Sequence, residues 1–246
     1  MSDKSNIEWT DATWNPIRRR TPGGPGRAGH FCLKLSPGCD HCYAGAMQAR
    51  WGLPDYDAVS LASLSRADEL VKSGEMIYLD AEVLAQPLRW RKPRRVFVCS
   101  MTDLLGEWVP DDWLDRIFAV MALSKDHTFQ CLTKRPGRMR SWFTEMASGT
   151  QREQIVHREA RQIAGQGMFL WNGWPLPNVW LGVSIESQQY AWRAKVLAEI
   201  PAAVRFVSAE PLLGPLDLQA QLPGIDWVIC GGESGGPPER RLVEPC

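Results

Sequence analysis

The chain has 246 residues, with 28 basic and 28 acidic side chains and 44% hydrophobic content, an ordinary globular composition that excludes a disordered chain or a globally charged nucleic-acid binder. Its longest apolar runs, such as residues 117–123, are far shorter than a membrane span needs, so no membrane partner is expected. Residues 1–5 carry no apolar leader core, which points to the cytoplasm, where thiols stay reduced and the seven cysteines favour a metal or cluster over disulfides.

In chain order, Ile7-Glu8-Trp9 predicts a short first strand. Residues 18–26 are too rich in glycine and proline for regular structure, so a loop of about residues 10–43 carries Cys32, Cys39 and Cys42. The last two form a Cys-x-x-Cys pair, with Pro37-Gly38 turning the backbone just before it. Crowded thiolates repel one another unless a cation or cluster holds them. A thiol-redox pair would not need Cys32. Three sulfurs leave one position of a four-coordinate centre open. An iron–sulfur cluster would bind a small molecule there, and a zinc ion would recruit His30 or His41. Spacing alone leaves both readings open.

Residues 44–50 predict a short helix leaving the cysteines, and 61–72 a second. Arg89, Arg91, Lys92, Arg94 and Arg95 then crowd one stretch, either a solvated loop or a phosphate-binding one. From there a rhythm sets in. Strands are expected at 96–99, 128–132, 179–183, 205–207 and 227–230, and helices at 112–123, 137–146, 151–165 and 188–199. Residues 148–177, ending in a segment rich in Gly, Trp and Pro, read as a surface insertion. Polar residues recur just after the strands, with Asp103, Lys134, Glu186, Glu210 and Glu233 in register. In parallel sheets that end is where ligands bind. With six strands, two fewer than a closed eight-fold barrel, the expected fold is α/β: one domain over 1–246 built as a partial (β/α)6-type barrel of parallel strands. The cysteine loop would open on the same face as the charges.

Three cysteines after the first strand of a partial barrel resemble the arrangement of radical S-adenosylmethionine enzymes, although six residues, not the usual three, separate Cys32 from Cys39. A closer resemblance lies in Trp9-Thr10-Asp11-Ala12-Thr13-Trp14-Asn15-Pro16, Ser36-Pro37-Gly38-Cys39-Asp40-His41-Cys42-Tyr43-Ala44, Leu132-Thr133-Lys134-Arg135-Pro136, residues 180–186, residues 210–215 and Gly231-Gly232-Glu233-Ser234-Gly235. In this order they are similar to the signatures of a phage- and prophage-associated three-cysteine-motif family of unknown function, itself similar to radical S-adenosylmethionine enzymes. Two departures stand out. Leu105-Gly106 replaces the family's Phe-His, and family members continue well past Gly235, so the C-terminal unit is expected to be truncated.

The resemblance implies that Cys32, Cys39 and Cys42 ligate three irons of a [4Fe–4S] cluster. The fourth iron would chelate S-adenosyl-L-methionine, whose reductive cleavage gives a 5′-deoxyadenosyl radical. It further implies cofactor-binding roles for His41, Tyr43, Ser100, Asp103, Lys134, Ser184, Glu186, Glu210, Gly231, Gly232 and Glu233. His41 would lie beside the adenine. Ser184, Glu186, Glu210 and Glu233 would hold the ribose hydroxyls or the methionine ammonium, with Glu233 the first candidate for the ammonium. Lys134 would meet the methionine carboxylate or a substrate phosphate. The implied partners are an electron donor such as a flavodoxin or ferredoxin and a separate phage-encoded protein, and the phage setting with the basic stretches around Arg18 to Arg20 and Arg89 to Arg95 makes nucleic acid the first candidate substrate. A non-catalytic zinc protein and a nucleic-acid-binding module are the rival readings.

Overall fold

Short apolar segments separated by helices pair side by side, as buried parallel strands do. The computed structural model describes residues 5–20, 28–53, 57–58, 65–66, 69, 77–146, 149–165 and 173–233. The first strands are β1 (Ala12–Trp14), β2 (Ile17–Arg20), β3 (Ala28–Gly29) and β4 (Leu33–Lys34), followed by helix α1 (Tyr43–Arg50). Next come β5 (Asp57–Ala58), β6 (Ile77–Leu79), the single-turn α2 (Ala81–Leu84) and β7 (Arg95–Val98). The regular part then runs α3 (Asp111–Leu123), β8 (Thr128–Thr133), α4 (Pro136–Thr144), α5 (Gln151–Ala164), β9 (Val179–Ser184), α6 (Trp192–Ala198), β10 (Val204–Ala209) and β11 (Trp227–Cys230).

Six of these strands form one sheet in the order β1-β7-β8-β9-β10-β11, with every pair parallel. Spatial order follows chain order, and among the described residues β1 and β11 are the edges of this sheet. The antiparallel ribbon β3-β2-β6 and the β4-β5 pair stand apart from it. The register puts Val96, Val98, Phe129, Cys131, Leu181, Val183 and Val207 on one face, all buried under the helices. At about 25 cal/mol per Å² of apolar surface, this layer is the main source of stability. The opposite face carries Phe97, Gln130, Trp180, Gly182, Phe206, Ser208 and Trp227. Gly182 is needed there, because a Cβ would lie 2.4 Å from the Phe206 ring.

The helices have local causes. Asp111 and Asp112 in the first turn of α3 complement its N-terminal dipole. The Thr150 hydroxyl caps α5 by accepting from Glu153 N, while Glu153 accepts from Gly149 N at 2.6 Å; Gly165 ends the helix at φ 63°. Among the described residues, no helix is long and apolar enough to cross a membrane.

Three expectations need correction. Residues 7–9 form a turn, not a strand, closed by Thr10 N donating to Ile7 O at 3.2 Å; the edge strand starts at Ala12, where pairing with Val96 begins. Arg18 to Arg20 are strand residues of β2, not part of an irregular loop. The expected surface insertion ends in core. Trp174 stacks on Phe143 at 4.5 Å and donates to Pro201 O at 2.8 Å, and Leu176 is buried. Residues 21–27, most of the helix expected at 61–72, residues 166–172 and the truncated unit expected after Gly235 lie outside the described residues.

Candidate metal and cofactor site

β1 ends at Trp14, and Cys99, just past β7, donates its N–H to Trp14 O at 2.8 Å. Cys99 is the one described non-glycine residue with a positive φ, 56°. This turn brings Ser100 and Met101 round to Asn15, whose Oδ1 accepts from Met101 N at 2.9 Å. The cysteine segment is laid over these strand ends. Tyr43, at the start of α1, donates its hydroxyl to Ser100 O at 2.6 Å. Thr102 donates to Phe31 O, and Arg135 to Leu33 O at 3.1 Å. Gly38, in the one-turn 3-10 helix Pro37–Cys39, lies against Glu186: a Cβ there would be 3.3 Å from Glu186 Cβ and 3.4 Å from its carboxyl carbon. The turn therefore crosses the carboxyl ends of β7, β8 and β9, as the register of polar residues predicted.

The three thiols share one electrostatic environment. Burial pushes the Cys32 thiol up; Arg135 opposes the rise, and Asp103, Cys42 and Cys39 add to it. Burial likewise raises Cys42, against the Ala44 N–H and Lys134. Burial thus favours the neutral thiol at Cys32 and Cys42, a cost that a cation or cluster would relieve by binding the thiolates. Among the described residues, no group of three or more His, Cys, Asp or Glu side chains is arranged to hold a metal ion. His30 turns its Nδ1 to Ile17 O at 3.1 Å, and burial lowers its pKa to about 4. His41 is exposed.

The strand-end residues fall into two groups. Asp103 is a structural acceptor: it takes hydrogen bonds from Thr133 Oγ1 (2.6 Å), Lys134 N (3.2 Å), Arg135 (2.9 Å) and Leu105 N (3.0 Å). Lys134 turns the other way and donates its Nζ to Ser184 Oγ at 3.0 Å. Glu186 is 1% exposed; Oε2 accepts from Arg193 at 2.9 Å, and buried Oε1 has no hydrogen-bond partner. A carboxylate oxygen buried unpaired costs several kcal/mol unless a donor reaches it. Ser36 Oγ, in the same turn as Gly38, is also buried and unpartnered.

Glu210 forms the second group with Gly231. Its Oε2 accepts from Trp9 Nε1 at 3.1 Å and from Ser208 Oγ at 3.2 Å. A Cβ on Gly231 would meet Glu210 Oε1 at 2.5 Å, so only glycine allows this approach. The two groups are stitched by Leu213 N donating to Glu186 O (2.7 Å) and Leu212 N to Gly231 O (2.9 Å). Gly232 is exposed, and Glu233 is 4% exposed, three residues past β11. Sequence reasoning missed Arg135 and Arg193. Arg135 directly follows Lys134, and Arg193 stands seven residues after Glu186, two helical turns in spacing; neither position announces a buried ion pair.

Residues 4–245 match the family model described as "Protein of unknown function (DUF5131)". The chain belongs to the DUF5131 family. No curated protein and no solved structure matches it significantly. The match takes in every element of the DUF5131 chain described above, from the Trp9 turn through the cysteine segment to β11.

The basic stretch is not part of this site. Arg91, Lys92 and Arg94 precede β7 and so lie at the amino end of the sheet, opposite the cysteines. Arg94 lies over the Trp90 ring at 5.1 Å, and Arg95 pairs with Asp11 at 3.1 Å.

Proposed function

We propose that the chain is a radical S-adenosylmethionine enzyme whose open parallel sheet is a partial barrel. The observation that carries this reading is the seating of the Cys-x-x-Cys turn on Glu186, a buried carboxylate with one oxygen unpartnered. Three cysteines on one segment match in number the ligands that a [4Fe–4S] cluster with one open iron takes from its protein, one thiolate to each of three irons. Zinc would instead draw three thiolates and a histidine to one ion, and metal analysis separates the two. The concave reading of the sheet is supported by Trp9, whose ring lies 4.8 Å from Phe97 on β7 and 6.2 Å from Phe206 on β10. Those strands are three apart, about 14 Å in a flat sheet.

Cys32, Cys39 and Cys42 would hold the cluster, which supplies the electron that cleaves the sulfonium of S-adenosyl-L-methionine. The chain's own residues bind and orient. Glu186 Oε1 would accept from the cofactor's ammonium, with Arg193 fixing the other oxygen. Ser184 and Lys134 present a hydroxyl and a cation beside it. Trp9, Phe97 and Phe206 form an apolar layer on the same sheet face, toward its amino end. Nucleic acid remains the first candidate substrate and a small redox protein the electron donor, in the phage setting that the sequence resemblance implies. The test is anaerobic: dithionite-reduced, iron-loaded protein should release 5′-deoxyadenosine from S-adenosyl-L-methionine. A fully loaded, reduced protein that neither binds nor cleaves it would end this reading.

A further inference from the structure

Arg135 is 5% exposed, and its guanidinium is bonded along every edge. Nε donates to Glu107 at 2.6 Å, one terminal nitrogen to Asp103 at 2.9 Å, and the other to the Leu33 carbonyl at 3.1 Å. One flat face is covered by Trp108, 4.7 Å from the ring centre. A buried cation this well paired is fixed in place, and removing a partner is costly. Leu33 directly follows Cys32, and its carbonyl is also the acceptor 3.9 Å from Cys32 Sγ. Asp103 in turn is bonded to Thr133, the last residue of β8.

We propose that Arg135 is the positioning residue that seats the cysteine turn, clamping the Leu33 carbonyl beside Cys32 to the Asp103 carboxylate at the end of β7. Only a planar fork reaches three acceptors in three directions; a lysine ammonium carries the charge but cannot span them. The adjacent residues divide the labour: Lys134 faces Ser184, and Arg135 faces the cysteine segment. What the turn holds rests on the function proposed above; that Arg135 seats it does not.

The test uses metal-free, full-length protein alkylated with iodoacetamide under native conditions and read cysteine by cysteine by mass spectrometry. In Arg135→Lys, which keeps the positive charge beside the thiols, labelling of Cys32 should rise about tenfold or more, as loss of the fork's charge-assisted bonds predicts. Cys99 and Cys131, both buried in the core, should stay protected. An unchanged Cys32 rate would overturn the proposal. So would a parallel rise at Cys131, which would make Arg135 a residue of the fold as a whole. In iron-loaded protein, a chelator should strip Arg135→Lys faster than wild type, and equal rates would also count against the seating role. Failure of the wild type to take up iron would sink the cluster reading, while the Cys32 labelling would still decide the role of Arg135.

Discussion

The indole Nε1 of Trp9 donates to Glu210 Oε2 at 3.1 Å across 201 residues of chain. The same residue accepts from Gln130 Nε2 through its carbonyl at 3.2 Å, so one tryptophan ties the turn before β1 to β8 and to the end of β10. Trp9→Phe keeps most of the packing and loses the donor. It should cost about 1–3 kcal/mol, and Trp9→Ala about 3–5 kcal/mol, in urea denaturation. A Trp9→Phe protein as stable as wild type would mean that the bond carries no weight in closing this face.

Asp103 is a knot of the fold, with four hydrogen bonds converging on its carboxylate. Asp103→Ala strips Arg135 of its buried partner and leaves Thr133 Oγ1 and the Leu105 N–H without their acceptor. The expected loss is about 3–5 kcal/mol of unfolding free energy. Asp103→Asn retains part of the acceptor geometry and should lose less. If Asp103→Ala folds with wild-type stability yet fails to bind S-adenosyl-L-methionine, the residue belongs to the site instead.

His127 gives a pH signature. It is 3% exposed, packed edge-on against Trp90 and Phe129, with Nε2 against Pro87 O at 3.2 Å. Burial lowers its pKa from 6.5, so the fold holds it neutral. Unfolded chains take up that proton first. Its contribution is therefore complete above pH 6.5 and is lost as pH falls through the depressed value. Unfolding free energies measured from pH 7.5 downward should fall less steeply in His127→Gln than in wild type. Parallel curves would contradict the assignment.

Glu186→Gln isolates the proposed ammonium contact. The amide still accepts from Arg193, but the charge is gone. Binding of S-adenosyl-L-methionine to the iron-loaded protein should weaken about ten- to a hundred-fold, equivalent to about 1.5–3 kcal/mol, with iron content unchanged. Equal affinity in the two proteins would move the ammonium elsewhere, first to Glu233.

The strands were legible because each parallel strand is an apolar run followed by a polar residue, so β7 to β11 fall within two residues of their expected places. The first strand was misplaced for a physical reason. Ile7-Glu8-Trp9 alternates like a strand, but Trp9 uses its backbone carbonyl on a side chain of β8, and Ala12-Thr13-Trp14 takes the ladder. Register alone assigned Asp103, Lys134, Glu186, Glu210 and Glu233 to one end of the sheet, and in the structure each follows the carboxyl end of its strand. The inward arginines were not, because Arg135 and Arg193 look like any exposed arginine until burial and partners are known. Nor was Trp174, whose Gly- and Pro-rich surroundings suggest surface although its ring stacks on Phe143 and meets Phe118 edge-on.

The most direct measurement is the metal content of protein reconstituted anaerobically with iron and sulfide. The account predicts about four irons and as many sulfides per chain, lost in Cys39→Ala and retained in Cys131→Ala, whose sulfur is buried on the helix side of β8 beside Met121. One zinc per chain with no iron, or full iron retention in Cys39→Ala, would contradict it.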